Sequence, residues 1–292
     1  MIAPAEAFQY IRRLQIKALR NVDDVFAGIY RSAFKGKGLE FEDVREYEPG
    51  DDIRAIDWNV TARSQRPYVK NFREERELTV MLVVDISASS RYSHTSRFKS
   101  EMIAELAALL AFSAIKNQDK VGLLLFSSQV ELYLKPKKGV RQVLRVIREL
   151  LYFKPQHEGT DLPKALAFLG RVQTKRAICF LISDFLAEDF SRPAAIIAKR
   201  HELIAFHVYD AFEQNFTPRG LFALQDLESH VQALIDTADP HVRERFHQKA
   251  KKQSLAVKRL FEKTGADYVS MHTGESSAHA LQRFFRLRGR KR

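Results

Sequence analysis

The chain has 292 residues, of which 45% are hydrophobic and 29% charged, proportions that exclude a disordered or fibrous protein. Its longest apolar stretch, Ile103 to Ile115, is too short for a bilayer span and is interrupted by Glu105, and one cysteine, Cys179, excludes a disulfide framework or a cysteine-based zinc site. The net charge of +12 is concentrated: residues 243–292 hold fourteen Lys/Arg against four acids, while the rest of the chain holds 34 basic and 32 acidic residues.

Residues 1–34 read as helix, with Phe8, Ile11, Leu14, Ile16, Leu19, Val22, Val25 and Phe26 at helical spacing. This start carries neither a secretory core nor a cleavage site, so the cytoplasm is the expected location. The polar stretch 36–76 is punctuated by Gly36, Gly38, Pro49-Gly50 and Arg66-Pro67, which argue turns, with a strand over Tyr68 to Phe72. From residue 78 strands and helices alternate. Strands are expected at 79–85, 121–126, 130–134, 177–183, 203–209 and 267–271. Helices are expected at 97–116, 139–151, 162–172, 193–200, 241–264 and 277–287, and an inserted hairpin at 216–237.

Continuous apolar strands separated by helices imply an α/β fold with a doubly wound, mostly parallel sheet covered on both faces. The expected organisation is an N-terminal helical and turn-rich subdomain over 1–77, followed by the sheet domain over 78–292. Strands 121–126 and 130–134 should pair as a hairpin at one edge.

Ligand sites in doubly wound sheets lie at the carboxyl ends of the strands. Three such ends carry small oxygen-bearing residues: Asp85-Ile86-Ser87-Ala88-Ser89, Gly159-Thr160-Asp161 before a helix, and Ser183-Asp184. Asp85, Ser87 and Ser89 alternate, so an extended loop would turn all three to one side. With Thr160 and Asp184 they make an all-oxygen set of three hydroxyls and two carboxylates, suited to Mg²⁺ or Mn²⁺ with some retained water. Two carboxylates only balance the ion, so an open position would attract a partner's Asp or Glu. The competing expectation is that strand-end Asp and Ser residues cap the helices that follow.

The DISAS run with Thr160 and Asp184 resembles the metal-ion-dependent adhesion site of von Willebrand factor A domains. The pattern G-K-G-x-E-F-x-x-x-R-x-Y-x-P-G-D-D-x-R-x-I-D-W, within 36–76, is similar to the signature of the bacterial domain-of-unknown-function family fifty-eight, which joins that signature to such a domain. The resemblance implies that Ser87 and Ser89 bind the metal directly, Asp85 and Asp184 act mostly through water, and Thr160 joins when a ligand is held. It also implies a partnership with a MoxR-type AAA+ ATPase in assembling or activating other complexes.

A metal-dependent phosphoester hydrolase is the enzymatic alternative. Haloacid-dehalogenase-like enzymes need a second acid two residues after the strand-end aspartate, and Ser87 stands there instead, so a non-enzymatic role is expected. The histidines His94, His157 and His207 are scattered and expected to be buried or solvated. No G-x-x-x-x-G-K-[ST] loop occurs, so ATP hydrolysis is assigned to another chain. Within 36–76, Asp51, Asp52, Arg54 and Asp57 read as an internal ion-pair network that docks this subdomain on the sheet, with a partner surface as the alternative, beside a buried Trp58. Nucleic-acid or anionic-surface binding would have to use the basic C-terminal region. There Arg243, Arg245, Lys249, Lys252, Arg259 and Lys263 form one solvated helix face, the aromatics Phe246, Phe261, Phe284 and Phe285 sit at core positions, and LRGRKR forms a flexible tail. An acidic protein is therefore expected ahead of nucleic acid as the partner of this region.

Overall fold

The computed structural model describes residues 24–34, 39–64, 66–74, 77–91, 98–214, 220–225 and 232–291. The chain forms two compact units, Phe34–Glu77 and Met1–Ala33 with Leu78–Arg292. The first two-thirds of the N-terminal helix read from the sequence lies outside the described residues; its end is α1 (Asp24–Phe34).

The larger unit is an α/β fold around a six-stranded sheet of order β10-β7-β6-β3-β4-β5. Its strands are β3 (Thr79–Asp85), β4 (Lys120–Phe126), β5 (Val130–Lys137), β6 (Ile178–Ser183), β7 (Glu202–Tyr209) and β10 (Asp267–His272). All neighbours are parallel except the β4–β5 hairpin at one edge. The central strand β3 is buried from Val80 to Asp85, which is why its sequence runs apolar without alternation. On one face Met81, Val83, Cys179, Leu181 and Leu203 meet α5 (Leu162–Val172), α6 (Ser191–Arg200) and α8 (Pro240–Thr264), with Phe261 fully buried. The other face is covered by α3 (Lys99–Lys116), α4 (Val140–Tyr152) and α9 (Ser277–Lys291), where Phe284 stacks edge-on against Phe206 of β7 at 5.8 Å. Gly122 lets β4 lie close to its neighbours: a Cβ there would stand 2.5 Å from Met81 Sδ and 2.9 Å from the Leu134 carbonyl.

α1 packs with this larger unit although it precedes the turn-rich segment in sequence. The Tyr30 hydroxyl donates to Asp119 Oδ2 at 3.1 Å, Leu78 N donates to Asp119 Oδ1 at 2.9 Å, and Tyr30 meets Phe285 edge-on at 5.6 Å. Burial, reinforced by the Asp119 charge, holds the Tyr30 phenol well above its ordinary range. The C-terminal tail is not loose as far as Lys291. α9 continues to that residue because Arg288 is captured by Glu202 and Asp267, with its Nε donating to the Ala33 carbonyl at 3.2 Å. The inserted hairpin is β8 (Leu221–Gln225) with β9 (Gln232–Asp236), its tip outside the described residues. The short helix α7 (Ala211–Gln214) precedes it.

The smaller unit pairs β1 (Leu39–Glu46) with β2 (Tyr68–Glu74) antiparallel, with a bulge between Phe41 and Asp43. The acidic β1 has little intrinsic strand preference and is held by its ladder with β2. Arg45 grips Asp51 with two bonds of 2.8 and 2.7 Å, while Asp57 accepts from Asn59 N and Val60 N to start α2 (Trp58–Ser64) and faces Lys70 at 3.7 Å. Asp51 and Asp57 of the expected network thus pair within this unit, with Arg45 and Lys70, whereas Asp52 serves as a cap, its Oδ1 accepting from Arg54 N at 2.9 Å. Trp58 is not buried as expected but 67% exposed, since a unit of this size has little interior to enclose an indole.

Candidate functional site

The residues that follow β3 are shaped by the aspartate that ends it. Asp85 is fully buried; its Oδ1 accepts from Ser87 N at 2.9 Å and its Oδ2 from the Ser183 hydroxyl of neighbouring β6 at 2.7 Å. The first bond is a local Asx-type turn of the kind Asp favours, and it swings the chain into the 3₁₀ turn Ala88–Arg91. The turn is closed by Ser90, whose N and Oγ both donate to the Ser87 carbonyl at 3.1 and 2.8 Å. Within it the Ser87 and Ser89 hydroxyls come to 3.1 Å of one another.

Asp184 lies one residue beyond β6, next to β3 in the sheet. Its Oδ1 accepts from Leu186 N at 3.2 Å, and the backbone turns sharply at Phe185, whose φ is +56°. Asp85 and Asp184 act on one another: burial first, and then the Asp184 charge, push the Asp85 carboxyl up to about 7, against the bonds from Ser183 and Ser87 that favour its ionised form.

Thr160 lies in the loop beyond β4, on the other side of β3. It is half-buried between Gly159, whose φ is +82°, and Asp161, whose N donates to the Ser127 carbonyl at 2.9 Å. That bond fixes the loop to the end of β4, whose Phe126 carbonyl also accepts from Ile86 N at 2.9 Å. The ends of β6 and β3 are thus neighbours in the sheet, and the Thr160 loop, which joins two helices rather than ending a strand, is tied beside the end of β4 by the Asp161 bond. Asp161 itself caps α5, accepting from Lys164 N at 2.8 Å.

Two charged clusters escaped the sequence reading, Lys99 with its partner Glu213, and Glu131. Lys99, the first residue of α3, is 1% exposed and places its Nζ 3.1 Å from Asp184 Oδ2 and 2.6 Å from Glu213 Oε1 of α7. Burial alone would lower its pKa, but Asp184 and Glu213 outweigh that and raise it; burial raises Glu213 in turn, with Lys99 opposing. The signal was available: Lys99 stands on the stripe 99, 102, 106, 109, 113 that α3 buries, a lone cation on an apolar face. The second group is Glu131 of β5, whose Oε1 accepts from Ser127 Oγ at 2.7 Å, Gln156 N at 3.1 Å and His157 N at 3.0 Å, and so ties the loop leading to Thr160. His207 is buried with Nδ1 2.7 Å from the Tyr268 hydroxyl; burial lowers it to about 4, with Asp184 opposing and Lys99 assisting.

Among the described residues no three His, Cys, Asp or Glu side chains converge as a metal cluster, so any ion here would depend on hydroxyl oxygens. The donor set fits a small hard cation. The 3.1 Å between the two serine oxygens matches the edge of an octahedron with metal–oxygen bonds of about 2.1 Å, roughly 3.0 Å. Ser87 and Ser89 would be the direct donors. Lys99 already engages one oxygen of Asp184, which leaves that carboxylate to act at longer range.

Curated relatives include uncharacterized proteins Mb1516 of Mycobacterium bovis and Rv1480 of Mycobacterium tuberculosis, each 30% identical over 96% of this chain and 89% of the relative. The uncharacterized protein YeaD of Bacillus subtilis is 24% identical over 58% of this chain and 40% of its own length. Among solved structures, an aerotolerance-related membrane protein of Bacteroides fragilis aligns at 14% identity and a TM-score of 0.49, covering 74% of this chain and 100% of that one. No helix among the described residues is long and apolar enough to cross a membrane. A family profile described as "Protein of unknown function DUF58" spans residues 43–256, taking in the later part of the signature segment, the ends of β3 and β6 and the Thr160 loop, and with the mycobacterial relatives it establishes that the chain belongs to the DUF58 family.

Proposed function

We propose that this chain is a metal-dependent protein-interaction module whose sheet domain is of the von Willebrand factor A type. Mg²⁺ or Mn²⁺ is held by Asp85, Ser87, Ser89, Thr160 and Asp184, and its shell is completed by an Asp or Glu of a partner protein. The observation that carries this reading is the buried Asp85 carboxyl, pushed up to about 7 by burial and the charge of Asp184, beside a serine pair 3.1 Å apart. Such a pocket is short of positive charge, and a divalent ion relieves the burial and the repulsion together. Lys99 is matched by Glu213, so it offsets one carboxylate of the network without satisfying Asp85. The bound ion supplies a Lewis-acidic position; the chain's residues orient it and exclude water from one side.

The resemblance of the motif makes a cytoplasmic MoxR-type AAA+ ATPase the first partner to test. A phosphoester-hydrolase reading draws less support, because a serine stands where a second strand-end acid is required. Calorimetric titration of Mg²⁺ and Mn²⁺ into the protein tests the site. Saturable binding is expected for the wild type and is lost in Asp85→Ala and in the Ser87→Ala/Ser89→Ala pair, while circular dichroism shows the variants folded. Equal binding by wild type and variants, or no binding even with a purified AAA+ partner present, overturns the proposal.

A further inference from the structure

A concave surface that shares no lining residue with the strand ends lies in the basic C-terminal region. A groove of about 520 Å³ lies between the hairpin strand β9 and the first turns of α8. Its floor is apolar: Ile235, Val242 and Phe246 line it, each half-buried. Val242, Phe246 and Lys249 recur at helical spacing, so they share one face of α8 over about 10 Å, or two turns. Arg245 and Lys249 are exposed at the groove, and Glu244, also lining it, is engaged by the Gln248 amide at 2.6 Å.

The wall is built. Asp239 caps α8 by accepting from His241 N at 2.8 Å, and Pro240 opens its first turn. Arg243 reaches back to the Thr237 and Ala238 carbonyls at 2.5 and 2.9 Å, and Thr237 Oγ1 donates to the Gly220 carbonyl at 2.9 Å. A two-stranded ribbon is marginal by itself, and these bonds hold its base to the helix. Arg243 is therefore a structural clamp, not part of the solvated basic face expected from the sequence.

We infer that this groove docks a short acidic amphipathic segment of a partner protein. The segment lays leucine-type side chains on Ile235, Val242 and Phe246 and sets its carboxylates against Arg245 and Lys249. Charge complementarity selects the sign: Arg243, Arg245 and Lys249 line the groove against one acid, Glu244, and Lys251 and Lys252 are exposed on the next turn of α8. The floor selects the class. Two of its three side chains are branched aliphatics, which receive leucine-type groups well, and Phe246 is a single half-buried ring where single-strand binding sites use a series of aromatics.

The probe is a fluorescein-labelled peptide of about 14 residues, four helical turns, with leucine at i, i+3, i+4 and i+7 and glutamate on the other face. Its scrambled version and a labelled oligo-dT are read beside it by anisotropy. The amphipathic peptide is expected to bind the wild type at least about tenfold more tightly than the scramble. Arg245→Glu/Lys249→Glu weakens it by about tenfold or more, and Phe246→Ala does so at fixed salt. Because Arg245 and Lys249 are exposed, the double variant is expected to keep the wild-type thermal transition. Asp85→Ala leaves the peptide affinity unchanged, which separates this surface from the strand-end site. Equal binding of scramble and amphipathic peptide overturns the inference, as does an affinity unmoved by the double variant, or tighter binding of oligo-dT through the same residues.

Discussion

His207 shows how far a side chain's behaviour departs from its type. Burial, with Lys99 nearby, lowers its pKa to about 4, against roughly 6.5 in an unfolded chain. The native state therefore takes up its proton later than the unfolded state as pH falls. This histidine destabilises the fold progressively from pH 6.5 down to about 4, by up to about 1.4 kcal/mol per pH unit, and contributes no slope above that range. Urea unfolding at pH 7, 5.5 and 4.5 is expected to show a steeper loss in wild type than in His207→Gln; identical slopes refute the account. The oxygen-bearing residues at 85, 87, 89 and 184 stand out in the sequence because small polar residues there follow an apolar strand run, and Thr160 because it stands just before a helix cap. Lys99, Glu131 and Glu213 were not read. Lys99 meets Asp184 and Glu213 across 85 and 114 residues of chain, and pairing over that distance leaves no local pattern.

At the level of elements, periodicity located nearly every strand and helix of the sheet domain, with Thr79–Asp85 and Leu162–Val172 found to the residue. Two elements of the smaller unit escaped: β1, whose sequence LEFEDVRE is half acidic, and α2, which buries no residue. Four acids among its eight residues mask the strand pattern of β1, and α2, with no buried residue, has no apolar stripe to mark it. The sheet's spacing makes a different demand at Gly122, where β4 passes between β3 and β5. Gly122→Ala would drive a methyl against Met81 Sδ and the Leu134 carbonyl, and only the thioether can move aside readily. The expected loss is about 1–3 kcal/mol, read as a lower urea midpoint with an unchanged slope. A wild-type midpoint would mean that β4 and β5 separate at little cost.

Across the whole molecule, the concentration of charge in residues 243–292 disguises how much of that segment is structural. Leu281 and Phe285 are fully buried, Phe284 is 8% exposed, and β10 forms one edge of the sheet. A chain ending at Ser276 loses α9, and each buried phenylalanine alone is worth about 3–5 kcal/mol against a domain stability of about 5–15 kcal/mol. Such a truncation is expected to lose its cooperative thermal transition by circular dichroism, whereas a basic tail that were mere decoration would leave it intact. Functional tests of the basic region therefore call for exposed-charge substitutions rather than deletion. The α/β alternation, the edge hairpin and the oxygen-bearing strand ends are written locally in the sequence, because burial on both faces of a strand and the end of a strand each leave a mark within a few residues. Tertiary packing alone sets Lys99 between Asp184 and Glu213, anchors Arg288 on Glu202 and Asp267, and leaves Trp58 in solvent. Those outcomes depend on which distant groups share a low-dielectric interior, and on whether enough interior exists to hold them.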